Sequence, residues 1–222
     1  MAFDASLLTS LTHPSAHETS AKGTLDWRRL CVDITASRVT MVGRGTFGTV
    51  VKSWTPGRCV KIERIIGCDP LDACAASLSV AERMGSIGVG PNVYAWRVIQ
   101  CQCDATDHSD QTILVIEMDI VPGTTLHEWR LARRYIHTDS SKDGEMGVLV
   151  DALVAKVKMM NGLGVRHNDL NVHNVMVDKA NVPWLIDYTF ATQHRIGDAG
   201  DESTVMLANC FHGGRLGGRV VK

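Results

Sequence analysis

The stretch His167-Asn168-Asp169-Leu170-Asn171-Val172-His173-Asn174, with Leu185-Ile186-Asp187-Tyr188-Thr189 shortly after it, decides how the chain folds. Its spacing is H-x-D-x-x-x-x-N. A loop aspartate can accept the proton of an attacking hydroxyl, and an asparagine carbonyl five positions on is a hard oxygen suited to Mg²⁺. Asp187 closes a short apolar run and would give the same cation a second oxygen. An aspartate after a strand is otherwise a turn residue or a helix cap, but its spacing from the 167–174 element favours the metal reading.

Upstream, Gly43-Arg44-Gly45-Thr46-Phe47-Gly48-Thr49-Val50 has the form G-x-G-x-x-G-x-V and lies between two strand-like segments. A dinucleotide-binding loop would instead open a helix. Glycines at 43, 45 and 48 let backbone N–H groups approach phosphates without obstruction; the alternative is a plain hairpin turn. Lys61, in Cys59-Val60-Lys61-Ile62, alternates with its apolar neighbours and so faces the glycine-loop side of its strand. Such a lysine is otherwise a solvated charge. With Glu82 on a nearby helix it forms a candidate ion pair that would hold the ammonium against phosphate oxygens. Asp69-Pro70 starts that helix, and Leu71, Cys74, Ala75, Leu78 and Ala81 follow at helical spacing. Glu82 falls about 20° from their stripe, either buried and needing a partner or at the margin in water.

Strands are expected at 38–42, 49–54 and 58–65, the last two joined across Pro56-Gly57, and at 93–100 and 112–118 around a polar loop at 104–110. Pro122-Gly123-Thr124 turns into a short helix. A longer one is expected over 146–163, with Leu149, Leu153, Val157 and Met160 on one face and Gly162 and Gly164 as its stop. Strands at 174–177 and 183–186 follow. Residues 1–25 read as a flexible leader, 26–222 as the globular part, and the sequence beyond Phe190 as a Gly-rich loop and tail.

The chain of 222 residues is 45% hydrophobic and 21% charged, so it can bury one sizeable core or two lobes and is not disordered by composition. Its 23 Lys+Arg balance 24 Asp+Glu, which leaves no whole-chain case for nucleic acid or an anionic membrane. No run of about 18 apolar residues is present, and the N-terminus is neither basic nor apolar. A soluble intracellular protein, nuclear or cytoplasmic, is expected. Seven cysteines, at 31, 59, 68, 74, 101, 103 and 210, read as reduced thiols. Cys101 and Cys103 with His108 lack the usual zinc-ligand spacing and fit strand residues on one face better.

The ordered set of glycine loop, Lys61, Glu82, Asp169, Asn174 and Asp187 resembles a eukaryotic-type protein kinase over 42 to about 191. The resemblance implies an α+β, bilobal fold: an N-lobe at about 26–118 with an antiparallel sheet and one helix, and a reduced, mainly helical C-lobe at about 119–222. It implies ATP with Mg²⁺, or with Mn²⁺. Gly43, Arg44, Gly45, Thr46, Phe47, Gly48 and Val50 would cover the nucleotide, and Lys61, Asp169 and Asn171 would act in catalysis. Asn174 and Asp187 would hold the metal. Ile116 would be the gatekeeper, and Glu117 to Asp119 the hinge that binds adenine.

Departures from the common pattern narrow the likeness. Asp187-Tyr188-Thr189 is similar to the D-Y-T of haspin-type kinases, and His167-Asn168-Asp169-Leu170 resembles haspin-like and large-DNA-virus kinases. Aminoglycoside and choline kinases share a related element with His where Asn171 stands, though Asn171 still can donate to a phosphate oxygen. Asn168 replaces the arginine that pairs with a phosphorylated activation loop, so activity is expected without that modification. Thr189 in place of glycine is expected to fix the metal-binding loop. The implied function is a serine/threonine protein kinase. The alternatives are a small-molecule kinase, a nucleotide-binding pseudokinase or scaffold, and a compact kinase or ATPase acting in a complex, as in the tRNA-threonylcarbamoylation assembly. Because little sequence follows Thr189, the chain is expected to be either a minimal kinase that borrows its substrate platform from a partner protein or a truncated relative that kept the ATP site without the platform.

Overall fold

A computed structural model describes residues 10–12, 15–44, 48–65, 70–101, 111–133, 143–196 and 201–211. The fold is α+β. The chain divides into two compact units, Met1–Ala75 with Asn92–Ile120 and Ala76–Pro91 with Val121–Lys222.

The first unit is built on strands β1 (His17–Lys22), β2 (Met41–Arg44), β3 (Gly48–Lys52), β4 (Arg58–Ile65), β5 (Val93–Cys101) and β6 (Gln111–Asp119). They form one sheet in the order β1-β5-β6-β4-β3-β2, each neighbouring pair antiparallel. Helix α1 (Trp27–Thr35) covers one face. Its apolar residues Trp27, Leu30, Cys31 and Ile34 recur at i, i+3, i+4 and i+7, and Asp26 caps it by accepting from the Arg29 N–H at 3.0 Å. These residues share a core with Val51, Val60, Ile62, Ile99, Ile113 and Val115, the alternate residues of the central strands.

Helix α2 (Pro70–Ser86) runs across the boundary between the units. The second unit continues with β7 (Gly123–Thr125), α3 (Leu126–Ala132), α4 (Asp143–Gly162), β8 (Val165–Arg166), β9 (Val175–Asp178), β10 (Pro183–Leu185), β11 (Thr192–Gln193) and α5 (Ser203–Phe211). Thr125 and Glu128 cap α3 reciprocally in a capping box. Leu149, Leu153, Val157 and Met160 of α4 are buried together, as their spacing predicts, with Leu126, Val175, Leu185 and Met206. Gly164 ends the helix at φ +78°, where a Cβ would fall 2.4 Å from the His194 carbonyl oxygen. Two small sheets, β10-β9-β7 and β11-β8, carry the loops that matter chemically.

Three expectations are corrected. The leader over 1–25 is, in its described part, built into the fold: β1 pairs with β5, and Leu11, Ala16 and Leu25 are buried. The exposed pattern of β1, HETSAK, hides an edge strand because it is held by backbone pairing and by polar contacts, Glu18 with Arg97 and the Thr19 hydroxyl with the Val98 carbonyl, which leave no apolar alternation. The tail beyond Phe190 contains β11 and α5, and Met206 and Cys210 of α5 are fully buried. Helix α1 is likewise additional to the single helix expected beside the sheet. Cys31, Cys59, Cys74, Cys101 and Cys210 are all buried, and burial pushes the Cys59 and Cys210 thiols up to about 12. Cys103 and His108, required by the metal reading of Cys101, lie outside the described residues. Among the described residues no helix is long and apolar enough to cross a membrane.

Candidate functional site

In the second unit β8 delivers the chain into the loop 167–174, and β10 delivers it into the loop 186–191. Pairing of β11 with β8, Thr192 opposite Arg166, brings the end of the second loop back beside the start of the first. Side chains then tie the loops together. His167 Nε2–H donates to the Ile186 carbonyl at 2.9 Å, and Ile186 N–H donates to the Asn174 carbonyl at 3.0 Å. Asn168 Nδ2 donates to the Phe190 carbonyl and to Thr192 Oγ1, both at 2.9 Å. Asn168 sits at φ +63° and Asp187 at φ +64°, a region that Asn and Asp tolerate better than other side chains.

Asp169 is held from both sides. Asn171 Nδ2 donates to its Oδ1 at 3.0 Å and Asn174 Nδ2 to its Oδ2 at 2.7 Å, while both amides also reach the Asp169 carbonyl. The Asn174 nitrogen is thus spent on Asp169, which turns its carbonyl oxygen the other way. Thr189 Oγ1 donates to Asp187 Oδ1 at 2.6 Å and orients that carboxylate. A buried amide carbonyl and a carboxylate from adjoining loops are hard oxygen donors of the kind a divalent cation takes, so the residues fit Mg²⁺.

His167 is the buried hinge pin of the two loops. Its ring is fully enclosed and lies 5.1 Å from the Tyr188 ring. Donation from Nε2 leaves Nδ1 as an acceptor, and that atom has no hydrogen-bond donor among the described residues. Burial holds the imidazole pKa below its ordinary value of 6.5, against the opposing pull of the Ile186 carbonyl and the Asp187, Glu202 and Asp169 charges.

Glu202, which nothing at 167–189 announces, anchors the same loop. Its carboxylate accepts from the His167 N–H at 2.8 Å, the Asn168 N–H at 3.0 Å and Asn161 Nδ2 at 3.1 Å. The Glu202 N–H in turn donates to Asn161 Oδ1 at 3.0 Å. The available signal was Asp201-Glu202-Ser203 ahead of Met206 and Cys210, an acidic helix start before a helical repeat.

In the first unit, Gly43 and Arg44 end β2, and Gly48 and Val50 lie in β3. The tip, Gly45, Thr46 and Phe47, lies outside the described residues. Val50 pairs with Lys61 across β3–β4, and Lys61 pairs with Ile116 across β4–β6, so these three share one face of the sheet. Glu117 and Asp119 pair with Val60 and Arg58 instead and therefore belong to the opposite face. Their carboxylates serve a separate cluster: Glu117 accepts from Ser53 Oγ and Arg58, and Asp119 from Asn92 and the Tyr94 hydroxyl. Of the expected hinge, the Glu117 and Asp119 side chains are thus not gathered with Lys61, whereas Met118, paired with Cys59, lies on the lysine's face. Lys61 Nζ lies 2.5 Å from Glu63 Oε2. Glu63 was not among the expected residues, although strand alternation places i and i+2 together. Glu82 is carried by the second unit.

No family model matches the chain. Over 56 residues it is 30% identical to 3-deoxy-D-manno-octulosonic acid kinase of Vibrio parahaemolyticus, a stretch that makes up 25% of this chain and 24% of that protein. The likeness is to a kinase, and it spans about a quarter of the relative's length.

Proposed function

We propose that the chain is an ATP-dependent phosphotransferase that moves the γ-phosphoryl group to a hydroxyl acceptor. The observation that carries this reading is Asp169, each carboxylate oxygen fixed by an asparagine amide on a loop tied to that of Asp187. In the proposed step the acceptor oxygen bonds to the γ-phosphorus, the bond to the β,γ-bridging oxygen breaks, ADP leaves, and the hydroxyl proton passes to Asp169. Asn171 and Asn174 keep the carboxylate aimed, so little reorganisation is needed during transfer. Mg²⁺, held by Asn174 Oδ1 and Asp187, would neutralise charge on the phosphates. Lys61 would meet the α- and β-phosphates, with the glycine loop 43–48 and Val50 covering the nucleotide and Glu82 supporting the lysine. The adenine contact falls to the main chain at the end of β6, since the Glu117 and Asp119 side chains are engaged elsewhere.

The acceptor class has two readings, each with its own support. The HNDL and D-Y-T elements favour a serine/threonine protein kinase of the haspin-like or large-DNA-virus kind. The match to a sugar-acid kinase favours a small-molecule hydroxyl. Incubation with γ-labelled ATP and Mg²⁺, in parallel with generic protein substrates, amino-alcohols and sugar acids, separates them. Phosphoserine or phosphothreonine supports the first reading, and label in a small molecule alone the second. No label in any acceptor, with or without a co-purifying partner, contradicts phosphotransfer.

A further inference from the structure

Antiparallel pairing fixes which side chains share a face of the six-stranded sheet. One face, through Val51, Val60, Ile62, Ile113 and Val115, packs with α1. On the other, Gly48, Glu63 and Leu114 form one cross-strand row, and Val50, Lys61 and Ile116 the next. Glu63 is 1% exposed, and its companions in these rows are otherwise apolar or glycine. An ionised carboxylate in such surroundings is costly unless an opposite charge and hydrogen bonds satisfy it.

The opposite charge is Lys61, whose Nζ is 2.5 Å from Glu63 Oε2, with side-chain exposures of 15% and 2%. Alternation makes the contact local: residues i and i+2 of a strand project the same way about 6.6 Å apart. Gly48 makes room for it. A Cβ there would fall 2.4 Å from the Ile62 carbonyl oxygen and 2.8 Å from Glu63 Cβ, so only glycine lets β3 lie over the Glu63 stem. Cys74, in the first unit's part of α2, is a neutral neighbour; burial first and the Glu63 charge second push its thiol up to about 12.

We propose that Glu63 is the positioning residue for Lys61, a carboxylate on the lysine's own strand that aims the ammonium at the nucleotide phosphates. The proposal rests on the reading of Lys61 as the phosphate-binding group. An ammonium carries three donors, so engagement with Glu63 leaves it able to meet phosphate oxygens. The sheet then presents the lysine as a preset unit, with Val-Lys-Ile-Glu at 60–63 as its sequence signature.

The test uses the full chain and two independent readouts. Glu63→Gln keeps the volume and removes the charge; kcat/KM for ATP should fall at least tenfold, with partial recovery in Glu63→Asp. The loss should not multiply with that of Lys61→Met, because the two residues act as one. By thermal melting, Lys61→Met should lower Tm by several degrees through removing the ammonium beside the buried Glu63 carboxylate, and adding Glu63→Gln should restore part of that loss. Multiplying kinetic losses, or a double variant less stable than Lys61→Met, would overturn the proposal. A wild-type chain that transfers no phosphate would sink the phosphate-binding role, while the Tm rescue would still establish whether the two side chains are coupled. If Glu63→Gln alone fails to fold, the double variant still reports, because restored stability there supports the pair and its absence refutes it.

Discussion

At the scale of single residues, the candidate site depends on what fixes Asp169 and its neighbours. Replacing Asp169 by Asn keeps the shape of the site but removes the proton acceptor; kcat should fall by about 10²–10⁴ with ATP affinity largely retained. Steady-state kinetics beside nucleotide titration checks it. His167 makes a second prediction through its protonation. Its folded-state pKa is lowered, so above the unfolded value of 6.5 both states are neutral and nothing is gained or lost. As pH falls below 6.5 the unfolded chain takes a proton that the buried ring refuses, and the fold loses up to about 1.4 kcal/mol per pH unit until the folded-state pKa is reached. Urea melts at several pH values between 5 and 7.5 should show this loss, and His167→Gln, whose amide can still donate to the Ile186 carbonyl, should flatten it. An unchanged slope in that variant would assign the pH dependence to another group.

At the scale of elements, α5 has a positional duty that its place in the sequence conceals. Glu202, just before its first turn, satisfies two consecutive N–H groups of the loop that leads to Asp169. Glu202→Ala should cost about 1–3 kcal/mol of stability, chiefly the penalty for stranding the part-buried His167 N–H and Asn161 amide donors, and should lower kcat more than the affinity for ATP. Equal stability and unchanged kcat would remove Glu202 from that duty. Elements with strong periodicity or strong turn chemistry were legible in the sequence: β4 begins and ends at the expected residues, and the buried stripe of α4 is the one its spacing predicts. β1 was not, because an edge strand whose side chains are all exposed shows no apolar alternation. α5 was not, because Gly-rich flanks obscured a helix of nine residues. Within the site the loop residues were visible as a motif. Their supports, Glu63 and Glu202, were not, since an intrastrand pair and a long-range carboxylate leave no spacing signature of their own.

At the scale of the whole molecule, the chain places its motif residues on two units, with Lys61 on a sheet and Asp169, Asn174 and Asp187 on the loops of the second. The N-terminal segment belongs to the first of these. Removing residues 1–22 strips β1 from β5 and uncovers a long apolar edge, so the truncated chain should melt several degrees lower and aggregate more readily; scanning fluorimetry and light scattering would register both. An unchanged melting temperature would mean that β1 adds nothing to the sheet. The central claim is that the tethered loops of the second unit act on the phosphates of ATP. The measurement that tests it most directly is transfer of labelled γ-phosphate from Mg²⁺-ATP across the acceptor panel, by the wild-type chain and by Asp169→Asn in parallel. Label should appear in one acceptor class with the wild type and fall at least a hundredfold with the variant; equal labelling by both, or none by either, would contradict the account.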